Sequence, residues 1–128
     1  MGIAVDANVL LRWLLRDDSA LAAQADKILN GAAHNSLILD RMIVAEVSYV
    51  LRSYYQYPKS LIVQNLQALQ RAPQFSIADR ELVDLTIDLF ESEKPLSFED
   101  CWLLALKHSG RVKRVETFDK NLLKRLER

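Results

Sequence analysis

Short apolar runs alternate along this chain with longer stretches whose apolar residues recur at helical spacing. That alternation restricts the fold more than any other feature. The runs are Ile3-Ala4-Val5, Leu37-Ile38-Leu39, the weaker Phe75-Ser76-Ile77, and Val112 to Thr117. Between the first two, Val9, Leu10, Trp13 and Leu14 repeat at helical spacing, and Leu21, Ala22, Ala25, Ile28 and Leu29 do so again up to Gly31, an expected C-cap. Ile43, Val44, Val47, Val50 and Leu51 form the next periodic stretch, which stops at Tyr54-Tyr55-Gln56-Tyr57-Pro58. Further helices are expected from Ser60 to Arg71, after an Asp79 cap, from Ser97 towards Gly110, and from Lys120 to Leu126. Only three Gly and three Pro interrupt 128 residues, so helix should dominate. The expected class is α/β with a mainly parallel sheet, Val112 to Thr117 supplying the fourth strand.

Length fits one domain, 1–128, large enough to bury a core without disulfides. Half the residues are hydrophobic and 27% are charged, which excludes a disordered chain. The lone cysteine, Cys101, has no partner for a bridge, so a reducing cytoplasm is the simplest setting. The N-terminal run meets Asp6 too early for a signal segment, and charges break every apolar stretch before it reaches membrane-spanning length. The 17 basic and 17 acidic residues cancel, so no overall positive field points to nucleic acid.

The acids themselves carry the functional signal. Asp6 ends the first run, Glu46 lies in the early turns after the second, Asp100 opens a helix, and Asp119 follows the fourth run. In a parallel sheet the functional crevice lies beyond the carboxyl ends of the strands, a rim all four acids can reach. Clustered carboxylates repel one another unless a cation sits among them. An all-oxygen site suits Mg²⁺ or Mn²⁺, and the chemistry such ions assist most often is phosphoryl transfer.

Each acid also has a structural account. Ser97-Phe98-Glu99-Asp100 matches a capping box, and Asp119 is a natural N-cap for Lys120-Asn121-Leu122-Leu123. Glu46 sits uneasily in an apolar stretch. Asp6 follows a strand expected to be central, where an unpaired carboxylate is costly. Other side chains offer less. His34 and His108 lack ligand spacing and read as surface, Cys101 reads as core, and Tyr54, Tyr55 and Tyr57 read as packing.

Four segments together carry a family likeness: Val5-Asp6-Ala7-Asn8-Val9-Leu10-Leu11-Arg12, Ala45-Glu46-Val47, Phe98-Glu99-Asp100-Cys101 and Thr117-Phe118-Asp119-Lys120. In order and spacing the chain resembles the PIN-domain ribonucleases, most nearly the VapC toxins of VapBC toxin–antitoxin pairs. The resemblance implies a three-layer α/β/α sandwich with a sheet of four or five strands. It also implies a Mg²⁺ or Mn²⁺ site, cleavage of single-stranded RNA, a homodimer and a small VapB-type antitoxin partner. By this similarity Asp6, Glu46, Asp100 and Asp119 are the catalytic and metal-holding acids, with Asn8 and Thr117 in support. Ala7 stands where the family often has Thr or Ser, and Ser97 where it often has Asp.

The mechanism expected from these residues is hydrolysis of an RNA phosphodiester. Asp6, Asp100 and Asp119 hold the metal, and Glu46 orients a water or binds the metal through one. Arg12, Arg41, Lys107 and Lys120 lie near the motifs and are candidates for phosphate contacts, while Tyr54, Tyr55 and Leu61 are candidates for a dimer interface. The rival expectation is a non-catalytic PIN-like module that binds RNA or protein. A phosphatase with Asp6 as nucleophile ranks below both, because Asp6-Ala7-Asn8 offers no second nearby acid.

Overall fold

Three of the apolar runs become strands, β1 (Ile3–Ala4), β2 (Leu37–Leu39) and β3 (Phe75–Ile77). They pair in the order β1-β2-β3, all parallel, with Ile3 opposite Leu37, Leu37 opposite Phe75 and Leu39 opposite Ile77. The structure, a computed structural model, describes residues 2–127. It divides into two compact units, one ending at Ala78 and one beginning at Asp79.

Parallel neighbours need long crossovers, and in the first unit each crossover is a helix pair. Helices α1 (Ala7–Leu15) and α2 (Ser19–Leu29) join β1 to β2, and α3 (Arg41–Ser53) and α4 (Lys59–Arg71) join β2 to β3. α1 packs on α2 and α3, and α3 packs on α4. Leu10, Leu29, Leu51, Leu66 and Phe75 are completely buried, each contributing roughly 1.5–3 kcal/mol through removal from water. The sharp turn between α1 and α2 puts Arg16 in the left-handed region, at φ 56°. That conformation costs a non-glycine residue about 1–2 kcal/mol. The Arg16 guanidinium holds it through two parallel 2.8 Å bonds to Asp26.

The second unit holds α5 (Arg80–Ser92), α6 (Phe98–His108) and α7 (Lys120–Leu126). α5 packs on α6 around Ile87, Phe90, Phe98, Cys101 and Leu104, with Phe90 and Phe98 edge to face at 6.1 Å. α6 ends in a Schellman motif: Gly110, at φ 75°, donates to the Lys107 carbonyl and Arg111 to that of Leu106.

The helix-rich α/β class with a parallel sheet is as expected, and the differences are local. Val112 to Thr117, expected as a fourth strand, joins no ladder among the described residues, and the sheet has three strands rather than four or five. Its valines alternate with Lys113, Arg114 and Glu116, all exposed, and Arg114 pairs with Glu116 inside the segment. Asp79 does not cap α5 with its side chain; its backbone is left-handed and its carboxylate pairs with Arg111. Gly31 has no positive φ, and α2 ends on Asn30 in right-handed conformation.

One polar network ties the first unit together away from the sheet. The Tyr55 hydroxyl donates to Asp17 Oδ2 at 2.8 Å, and Arg12 donates to both Asp17 oxygens. The Tyr55 bond, with help from Arg12, holds the Asp17 carboxyl below its usual range. A carboxyl with a lowered folded pKa stabilises the fold above its unfolded pKa, and that contribution disappears as pH falls through the folded value. Tyr55→Phe should therefore lower stability at neutral pH and reduce the part that is lost on acidification. Urea unfolding of both proteins at about pH 7 and about pH 3 measures this, since the lower pH lies under the ordinary carboxylate range.

Candidate functional site

Because β1 and β2 are parallel neighbours, the chain leaves both at the same end of the sheet, and α1 and α3 begin close together there. Asp6 is the N-cap of α1; its Oδ1 accepts from the Asn8 and Val9 backbone amides at 2.9 and 3.2 Å. Asp40 does the same for α3, accepting from the Ile43 amide at 3.1 Å. Where the two helices start, a cleft of about 410 Å³ is lined by Asp6, Ala7, Asn8, Met42, Ile43 and Glu46. Two of the expected acids, Asp6 and Glu46, are thus brought to one cleft, with Asn8 beside them.

The two acids differ in how they are held. Both Asp6 cap bonds fall on Oδ1, which leaves Oδ2 for another ligand. Glu46 lies on the exposed side of α3 and makes no hydrogen bond or ion pair among the described residues. The core side of α3 carries Val44, Val47, Ser48 and Leu51 instead. Asp6 is exposed, and β1 lies at one end of the strand order, so the cost of an unpaired carboxylate beside a central strand does not arise.

Asp100 and Asp119 belong to the second unit, and both have the capping roles their sequences suggested. The Ser97 Oγ accepts from the Asp100 amide at 3.1 Å, and Asp100 Oδ2 accepts from the Ser97 amide at 3.4 Å, completing a capping box. Asp119 Oδ1 accepts from the Leu122 amide at 2.9 Å. Thr117 fixes the approach, its Oγ1 accepting from the Asp119 amide at 3.1 Å. As with Asp6, each cap engages a single carboxylate oxygen, and a carboxylate has lone pairs for more. Among the described residues, no group of three or more His, Cys, Asp or Glu side chains is arranged to hold a metal ion.

The remaining candidates divide by environment. Arg12 is committed to Asp17 at 3.1 Å, with its Nε buried and unpartnered, so it is not a free phosphate contact. Arg41, Lys107 and Lys120 are exposed. His34 and His108 are on the surface and Cys101 is buried, as their sequence contexts suggested. Sequence reasoning missed Met42 and Ile43 as cleft residues. The available signal was their position in the first turn of a helix starting directly after a strand.

The dual use of Asp6 has a measurable consequence. Asn caps a helix about as well as Asp, whereas Ala costs about 1 kcal/mol. Asp6→Asn should therefore leave thermal stability within a few tenths of a kcal/mol of wild type, and Asp6→Ala should lower it by about 1 kcal/mol. Glu46→Gln should stay within about 0.5 kcal/mol, because it removes no bond. Denaturant melts of the three variants check this.

The PIN domain family model matches residues 3–128, running through both units and all four acidic segments. No curated protein and no solved structure gives a match. PIN domains are generally nucleases that bind RNA and use divalent metals. A match over nearly every residue, on a helix-rich α/β fold with a parallel sheet, places this chain in the PIN domain family.

Proposed function

We propose that this protein is a metal-dependent endoribonuclease that hydrolyses single-stranded RNA and acts as the VapC-type toxin of a toxin–antitoxin pair. The observation that carries the proposal is the cleft at the carboxyl ends of β1 and β2. There one Asp6 oxygen accepts no cap bond, and Glu46 makes no hydrogen bond or ion pair among the described residues. Exposed carboxylate oxygens with no protein donor suit a ligand that brings its own positive charge.

The donor chemistry fits a hard divalent cation. Asp6, Glu46 and the Asn8 amide present only oxygen ligands at the cleft, with no thiolate or imidazole among its lining residues. Asp6 and Glu46 would hold the Mg²⁺ or Mn²⁺ there, and we assign Asp100 and Asp119 to the catalytic set because their segments resemble the acidic motifs of the family. When bound, such an ion supplies charge neutralisation at the phosphate and a water of lowered pKa. The protein's own part begins with orientation. Glu46 accepts a hydrogen bond from the attacking water and aims its lone pair at phosphorus. Asp6 is fixed by two backbone donors, so it holds its position without reorganising as charge develops. Water adds at phosphorus and releases one proton to solvent, the bond from phosphorus to the leaving ribose oxygen breaks, and that oxygen takes up a proton from solvent.

The proposed partners follow the same reading. No helix among the described residues is long and apolar enough to cross a membrane. A VapB-type antitoxin would silence the protein by placing a basic side chain between Asp6 and Glu46. A homodimer would use exposed apolar groups such as Tyr54 and Leu61, which are 77% and 40% exposed. The non-catalytic alternative draws on the fact that Asp100 and Asp119 already have work as helix caps.

Incubation with a single-stranded RNA, with Mg²⁺ or Mn²⁺ and with chelator, separates these readings. Cleavage should require the metal, and Asp6→Asn and Glu46→Gln should each reduce it about 100-fold or more while remaining folded. RNA binding without cleavage under every metal condition would favour the non-catalytic module. Light scattering should give a mass near twice the 14.7 kDa monomer, and induction without an antitoxin should arrest growth.

A further inference from the structure

Helix α3 has a second apolar feature that its core does not use. Met42 and Tyr49 lie seven residues apart, on the face opposite Val44, Val47 and Leu51. They are 69% and 53% exposed. Glu46 stands between them at helical spacing, so Met42, Glu46 and Tyr49 form one ridge about 10 Å long. Met42 and Glu46 line the cleft with Asp6, and Tyr49 continues the ridge one turn beyond it. Arg41 and Arg52 flank the ridge, both exposed, and Glu46 is the only acid on the helix.

We propose that this ridge is the RNA track of the enzyme, with Tyr49 stacking on the base of a nucleotide adjoining the scissile phosphate. The inference rests on the nuclease reading and adds to it a positioning residue and a direction for the strand. A tyrosine ring offers a flat face to any base, and stacking of this kind is tolerant of sequence. Met42 supplies a flexible apolar surface on the other side of the acid. Arg52, one turn past Tyr49, suits the negative backbone of a strand lying along the helix. The ridge is continuous with the cleft lined by Asp6 and Glu46, and exposed Arg41 and Arg52 lie beside it, which favours a strand leaving the scissile site over a second protein copy. Duplex RNA keeps its bases stacked within the helix and cannot offer them to Tyr49, so the track also selects single strands.

The test uses full-length protein and a labelled single-stranded RNA oligonucleotide. Binding is followed by anisotropy in an Asp6→Asn background, and cleavage in the otherwise wild-type protein. Tyr49→Ala should weaken binding about 5- to 150-fold, the range that loss of one base stack implies. It should act mainly on KM, and Tyr49→Phe, which keeps the ring, should bind within about 2-fold of its parent. An abasic nucleotide at the contacted position should weaken binding to the parent protein and have little further effect with Tyr49→Ala, as expected for two groups in one contact. Full activity and affinity in Tyr49→Ala would overturn the track and leave the nuclease standing. Conversion of Tyr49→Ala to a monomer by light scattering would assign the ridge to a dimer contact and overturn the track as well. Failure of the wild-type protein to bind or cut RNA would remove both proposals together.

Discussion

Parallel pairing of β1 with β2 is the constraint on which the candidate site depends. A parallel pair sends both strand ends to the same side of the sheet, and the crossover back must be long enough to carry helices. With Ala4 opposite Ile38, the chain turns into α1 and α3 from adjacent strand ends. Asp6 and Glu46, forty residues apart in sequence, thereby line one cleft. An antiparallel pairing of the same runs would have put the two helix starts at opposite ends of the sheet. No side-chain contact between the acids is needed to bring them together, since the backbone ladder does that work.

Helix capping and metal binding are usually set against each other as explanations for an acid at a helix start. Here they are compatible, because a cap uses one oxygen and leaves the other for a ligand. Asp6 gives Oδ1 to the Asn8 and Val9 amides, and Asp119 gives Oδ1 to the Leu122 amide. The cap narrows the carboxylate's rotamers before any ligand arrives, so little conformational entropy remains to be lost on binding. Glu46 lacks any such restraint.

Much of this was legible in the sequence, and the parts that were not share a physical cause. The three strands and seven helices among the described residues are recoverable from periodicity and caps, because Asp18, Asp40, Ser97 and Asp119 mark helix starts with side chains that bond the first turn. Val112 to Thr117 misled because β-branched residues alone do not make a strand. Pairing requires a neighbour, and a segment rich in exposed Lys, Arg and Glu has little apolar surface to gain by finding one. Asp79 misled for a related reason: a residue in cap position can serve a more attractive partner, and Arg111 supplies a full charge where the α5 amides supply dipoles. Asp6 and Glu46 were legible as acids at junctions. Their exposure was not, since the sequence alone did not show which strand would lie at the end of the order.

The α3 helix shows how a site of this kind coexists with a stable fold. Its buried side carries Val44, Val47 and Leu51, which are 2%, 0% and 0% exposed, and these residues fix its packing whatever happens on the other face. Exposed Met42, Glu46 and Tyr49 contribute little to that packing, so they are free to be chosen for binding. An exposed Tyr and Met with no core role leave apolar surface in water, a cost that a bound strand could recover by covering them. The separation of the two faces along one helix means that substitutions on the ridge should change function before stability, while substitutions on the core face should do the reverse.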